Sequence, residues 1–187
     1  CKALHDLVPL RNKVVKRTVL NTIETLIRPI RGKKTHSILG YVHKAYPPIY
    51  AALTNSAGFD TSLLIRGVEG GVVPSLRQKG LMISYIGGGE KVSAEIDPKI
   101  MDIKQELRAI AFPRNLNIKS DKADIVGYTI ALGMEALSGE KGMFYDGLVY
   151  IASLILWHVN NKFDLIEEAA STVRQVLDSG RAIKRIT

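Results

Sequence analysis

Apolar positions recur along this chain with two periods, and the change from one to the other sketches a fold. Over residues 11–27, Val14, Val15, Thr18, Val19, Thr22, Ile23 and Leu26 fall three and four apart, the spacing of one apolar helix face. That helix is expected to end near Arg28-Pro29, because proline removes a donor and pushes the residue before it out of helical geometry. Residues 37–42 read as a strand, residues 47–55 as a helix opened by prolines, and residues 61–65 as a second strand. Strand, helix and strand in that order predict a parallel βαβ unit. Residues 81–86 and 91–96 give two further short strands on either side of Gly87-Gly88-Gly89, which predicts a hairpin or edge ribbon.

From residue 119 the period is helical. Ile125, Tyr128, Ala131, Gly133, Met134 and Leu137 share one side of a helix that stops at Ser138-Gly139. Residues 142–159 are apolar almost all round, with Leu148, Ile151, Leu154, Ile155 and Trp157, so this helix is expected to be the most buried. Leu165, Ile166, Ala169, Val173, Val176 and Leu177 mark a last amphipathic helix that ends before Gly180. With no internal repeat or low-complexity tract, the pattern is that of an α/β domain with a mixed or parallel sheet and flanking helices.

Composition narrows this only a little. The 187 residues are 46% hydrophobic and 24% charged, as in a soluble globular domain or most of a larger one. No apolar run approaches the roughly 18 residues that cross a bilayer, and the start does not resemble a signal peptide. The single cysteine, Cys1, excludes an internal disulfide framework, so a reducing cytoplasm is the expected compartment and no membrane partner is expected. The chain opens at Cys1 without an initiator Met and reads as a fragment.

Charge changes the picture more. The net charge is +8, yet residues 1–35 hold nine Lys or Arg against Asp6 and Glu24, which is +7. Lys13, Lys16, Arg17, Arg28, Arg31, Lys33 and Lys34 could track the phosphates of a nucleic acid or hold a sugar phosphate. Equally, they could form a solvated basic face, or the helix could pack on a further domain or subunit. Aromatic residues are sparse in this segment, so base stacking is not expected to dominate.

Two places carry candidate chemistry. The first is the glycine-rich turn at residues 66–76, R-G-V-E-G-G-V-V-P-S-L, directly after a strand. Gly67, Gly70 and Gly71 would let the backbone approach a ligand, and Glu69 is its one carboxylate; a plain tight turn fits as well. The second is Pro9-Leu10-Arg11, Arg17-Thr18, Asn21 and Pro29, where arginine offers a planar fork to a carboxylate or phosphate. On one helix Arg17 and Asn21 would share a face, with Thr18 three residues before Asn21. His5, His36, His43 and His158 lack metal-ligand spacing, and no nucleophile elbow or P-loop motif is present.

The order Pro9-x-Arg11, Arg17-Thr18-x-x-Asn21 and Pro29 resembles the anthranilate phosphoribosyltransferase family, glycosyltransferase family 3. The resemblance continues through residues 38–42, residues 63–67, Leu137-Ser138-Gly139-Glu140-Lys141-Gly142, Asp146 and Ser179-Gly180-Arg181-Ala182, so it runs nearly the length of the chain. It implies the larger, α/β domain of the nucleoside phosphorylase/phosphoribosyltransferase fold over residues 1–187, with residues 1–35 a basic segment and residues 120–187 closing helices. Most of an N-terminal helical domain, and the glycine loop that holds phosphoribosyl pyrophosphate, would lie upstream. The implied reaction, a step of tryptophan biosynthesis, displaces pyrophosphate held with Mg2+ by the amine of an aromatic acceptor, in a homodimer. Arg11 would then clamp the acceptor, with Arg17, Thr18 and Asn21 beside it. The family's acidic magnesium-binding pair aligns with Val72-Val73, which offer no oxygen to a hard cation, and Glu69 is the tentative substitute. Its Gly-Pro-Leu is replaced by Glu24-Thr25-Leu26, and its upstream histidine falls near Cys1. These departures resemble a branch that keeps the fold without the anthranilate reaction, some members of which bind nucleic acid.

Overall fold

The computed structural model describes residues 2–14, 18–28, 32–86, 90–109, 122–160 and 164–186. Four strands, β1 (His36–Gly40), β2 (Thr61–Ile65), β3 (Gly80–Ile86) and β4 (Glu90–Ile96), form one sheet in that spatial order. β1 and β2 run parallel, with His36 opposite Thr61 and Gly40 opposite Ile65. β2–β3 and β3–β4 are antiparallel. The sheet is therefore mixed. The expected βαβ unit is present, because residues 46–56 form the connecting helix α4 (Tyr46–Ser56), with proline in its first turn. The expected β3–β4 ribbon is also present, although Gly87, Gly88 and Gly89 lie outside the described residues.

β2 explains why the domain has layers on both sides of the sheet. Side chains alternate across a strand, so Leu63 and Ile65 point one way and Leu64 the other, and all three are fully buried. On the first face Leu63 and Ile65 join Met82, Ile96, Tyr145, Val149, Tyr150 and Leu154 in the main core. On the second, Leu64, Tyr41 and Ile83 pack with Leu39, Tyr50 and Ala51.

Three long helices close the chain: α5 (Lys122–Leu137), α6 (Met143–Val159) and α7 (Ile166–Asp178). As expected from its uninterrupted apolar run, α6 carries the largest buried set, including Tyr145, Val149, Tyr150, Ser153 and Leu154. Its first turn is fastened to the end of α7: Tyr145 donates to Asp178 Oδ1 at 2.7 Å, and Lys141 Nζ donates to the Tyr145 hydroxyl at 2.7 Å and pairs with Asp178.

The last turn of α6 is fastened to the sheet by a polar chain. His158 lies 2.9 Å from Ser84 Oγ through Nδ1 and 2.8 Å from Thr61 Oγ1 through Nε2, and Thr61 is 2.7 Å from His36 Nδ1. Both ring nitrogens are thus used by neutral hydroxyl groups, which suits an uncharged imidazole.

The N-terminal segment departs from the expected single helix over residues 11–27. Short helices α1 (Lys2–His5) and α2 (Val8–Arg11) come first, and α3 spans only Val19–Thr25. Thr18 is extended (φ −95°, ψ 165°) and its backbone N–H donates to Asn21 Oδ1 at 3.2 Å. Threonine before a helix with a hydrogen-bonding side chain three residues on makes a cap, and a cap outcompetes helix continuation through β-branched residues. One face running through Arg17 and Asn21 is therefore broken at Thr18, and Arg17 itself, with Cys1, Lys16, Pro29 and Arg31, lies outside the described residues. Leu10 and Val19 in this segment are exposed.

Burial pushes the His158 pKa from its ordinary 6.5 down to about 4, with the charge of His36 adding in the same direction. Between those values the unfolded chain takes up a proton that the folded one refuses, so stability falls as pH drops from 6.5 to 4. We expect a loss on the order of 2 kcal/mol across that window, read from urea midpoints at several pH values. In His158→Gln this component of the pH dependence should disappear; an unchanged slope would refute the assignment.

Candidate functional site at the ends of the parallel strands

Ligands of α/β sheets gather beyond the carboxyl ends of the parallel strands, and here β1 and β2 both end against the turn at residues 66–76. Backbone bonds fix that turn at each side. Tyr41 N–H donates to Ile65 O at 2.9 Å, Arg66 N–H to Leu81 O at 2.9 Å, and Val68 N–H to Val73 O at 3.0 Å. Glycine is required for steric reasons at two points. A Cβ on Gly40 would lie 2.2 Å from Gly70 O and 2.3 Å from Gly71 O, and one on Gly67 would lie 1.8 Å from Gly71 O. The end of β1 therefore touches the turn backbone to backbone. Glu69 sits at φ 52° and ψ 27°, a left-handed conformation uncommon outside glycine, and its side chain is exposed.

Two cavities border the turn, with Val68 and Arg108 lining both. One, of about 680 Å3, is apolar: Val72, Val73 and Leu76 face Phe144, Leu148 and Ile151 across it. The other, of about 550 Å3, is basic, with Lys44, Arg66, Lys79 and Arg108 around it. Tyr41 packs with Leu64 and Ile83, where burial raises its pKa and the nearby Arg66 charge acts against that rise.

The second sequence candidate lies in the N-terminal segment. Arg11, half-buried, forms an ion pair with Glu24, one of the residues that departs from the family pattern. Thr18 and Asn21 are joined to each other in the helix cap, so the structure does bring Arg11, Thr18, Asn21 and Glu24 onto α2, α3 and the approach to them. Of the basic residues considered for phosphate tracking, Lys13, Lys33 and Lys34 are exposed. Arg28 instead donates to Gly58 O and stands 6.0 Å over the Phe59 ring, which clasps the segment to the loop before β2.

No family model matches the chain. An anthranilate phosphoribosyltransferase of Sphingopyxis alaskensis is 29% identical over 184 residues, 96% of this chain and 50% of the relative. An "uncharacterized protein" of Aquifex aeolicus is 24% identical over 173 residues, 92% of this chain and 50% of that protein. The solved anthranilate phosphoribosyltransferase of Saccharomyces cerevisiae, in complex with PRPP and Mg, matches with a TM-score of 0.70 at 20% identity, over 97% of this chain and 48% of that one. The chain is a divergent relative of the anthranilate phosphoribosyltransferases. It spans about half the length of the curated relatives it matches.

The sequence resemblance implied magnesium at this turn, and the side chains here do not fit the ion. Val72 and Val73 line an apolar cavity, Glu69 contributes one exposed carboxylate, and the described residues contain no cluster of three or more acidic, His or Cys ligands. A hard cation held by side chains needs several carboxylate oxygens, and the side chains of this turn offer one carboxylate. Asp146, part of the family's closing signature, accepts from Gln105 Nε2 at 2.7 Å and so holds the segment after β4 against α6. Among the described residues no helix is long and apolar enough to cross a membrane.

Sequence reasoning singled out the turn and the N-terminal residues but neither Gly40 nor the basic cavity. Gly40 is the last residue of β1 and falls inside the strand expected over residues 37–42, where a glycine signals close backbone approach. Replacing it tests the contact. Gly40→Ala should lower stability by on the order of 3 kcal/mol, because the added methyl meets two carbonyl oxygens that move only with the turn. Thermal melts beside Gly133→Ala, where an added Cβ meets nothing within 4 Å, give the comparison; equal losses would refute the close-packed junction.

Proposed function

We propose that the chain is the α/β part of a phosphoribosyltransferase-like protein that moves a phosphoribosyl group from phosphoribosyl pyrophosphate to an aromatic or nitrogenous acceptor. The observation that carries this reading is the agreement of sequence and fold over nearly the whole chain with enzymes named for that reaction. The parallel pair β1–β2 ending at a glycine-rich turn supports it, since that is where such folds hold ligands.

In this reading Arg11 orients the acceptor with its planar fork, and Thr18 and Asn21 hold the start of α3 beside it. Rate enhancement would come from holding acceptor and ribosyl carbon together and from stabilising the charges that separate as pyrophosphate leaves. No step is assigned to magnesium, because Val72, Val73 and Glu69 do not make a site for it. The tryptophan-pathway reaction itself is not part of the proposal, given Glu24 beside Arg11 and the valines in the turn.

Calorimetry of the full-length protein with phosphoribosyl pyrophosphate, with and without magnesium, is the test. We expect binding in the millimolar range or tighter that survives removal of the ion. Arg11→Gln should leave that binding intact while weakening anthranilate only a few-fold, because an acidic acceptor exchanges with Glu24 for the guanidinium instead of filling an open one. No heat with phosphoribosyl pyrophosphate at millimolar concentration would overturn the reading.

A further inference from the structure

We propose that the basic cavity between the residue 66–76 turn and the start of β3 is a binding site for a small phosphate-bearing anion. It goes beyond the transfer reading in naming a separate anion site: the cavity borders the turn which that reading uses, and none of its groups comes from the Arg11 segment.

Its walls are drawn from five parts of the chain: Lys44 after β1, Arg66 at the end of β2, Ser75 and Lys79 before β3, Glu95 in β4, and Arg108 beyond β4. The frame under these side chains is tied together by main-chain bonds. Arg66 N–H donates to Leu81 O at 2.9 Å, and Leu76 N–H donates to Arg108 O at 3.1 Å. Arg77 Nη1 reaches Glu106 O at 3.5 Å from the same side. Two guanidinium forks, two ammonium groups and one carboxylate, Glu95, therefore meet at a cavity of about 550 Å3, a size that suits a small metabolite.

Ser75 supplies the part that a solvated basic surface lacks. It is 9% exposed, and its Oγ accepts from the backbone N–H groups of Arg77 and Gln78, each at 3.3 Å. With its lone pairs directed to those amides, the hydroxyl proton is left to donate, and Ser75 lines the cavity. A phosphate monoester presents three terminal oxygens and up to two charges, which matches guanidinium forks together with a hydroxyl donor better than a lone carboxylate does. Glu95 accounts for the one opposing charge. It pairs with Lys79 at 2.7 Å, both side chains being largely exposed, so the pair is weak and Lys79 is available to an anion that displaces it.

The test uses the full-length protein, inorganic phosphate and glycerol 3-phosphate as probes, low ionic strength and no magnesium. Saturable binding is expected, weakened at least tenfold in Arg66→Gln and in Arg108→Gln. Glu95→Gln should bind phosphate several-fold more tightly, because it removes the competitor for Lys79; a misfolded variant cannot give that gain. Arg185→Gln, outside the cavity, should bind as the unaltered protein does. The tighter of the two probes tells free phosphate from a phosphate ester. Affinity unchanged from that of the unaltered protein in Arg66→Gln and Arg108→Gln, or a loss in Arg185→Gln as large as theirs, overturns the site. Phosphoribosyl pyrophosphate binding that persists in Arg66→Gln keeps the two readings apart, and its loss together with phosphate binding would overturn the independence of this cavity.

Discussion

Leu63, Leu64 and Ile65 allow no water on either face of β2, and the rest of the domain is arranged to satisfy that constraint. A strand buried on both faces needs a helix layer on each, with α4 supplying one and α6 the other. Each fully buried aliphatic side chain contributes roughly 2 kcal/mol, so these three residues alone outweigh any surface ion pair in the molecule. They also set where chemistry can happen. With both of its faces covered, β2 is left open only at its ends, and β1 and β2 deliver Gly40 and Arg66 to the same end.

The polar fastenings are placed where the helices would otherwise slide on that sheet. Lys141, Tyr145 and Asp178 join the start of α6 to the end of α7, while Ser84, Thr61 and His36 hold its far end through His158. Hydroxyl groups rather than carboxylates surround His158, so the buried ring is hydrogen-bonded without a counter-charge. The same economy of charge is seen at the turn, where Val72 and Val73 line the apolar cavity.

The parts of the fold legible in the sequence are those whose period is unambiguous. β2 and α6 could be read directly, since an apolar run of strand length differs from one of helix length. The βαβ unit followed from proline positions and the order of the runs. Thr18 was misread because a threonine with a side-chain acceptor three residues later sits equally well on a helix face and at a helix start; the extended backbone decides it. The basic cavity was not legible at all. Lys44, Arg66, Lys79 and Arg108 are far apart in the chain, and only the antiparallel return of β3 and the main-chain bond from Leu76 to Arg108 gather them. Gly40 looked like an ordinary strand glycine because its partner carbonyls belong to the turn after the next strand.

The pairing of Arg11 with Glu24 changes what recognition in the N-terminal segment means. A carboxylate carried on the same chain is present at an effective concentration in the millimolar range. A carboxylate brought by a ligand must replace that partner, leaving Glu24 to water, instead of filling an open guanidinium. Recognition there becomes an exchange of anions, whose net gain is only the difference between two similar contacts. A chain built this way discriminates weakly among acidic ligands at Arg11 and gains more from a neutral or cationic group that can lie beside an intact pair.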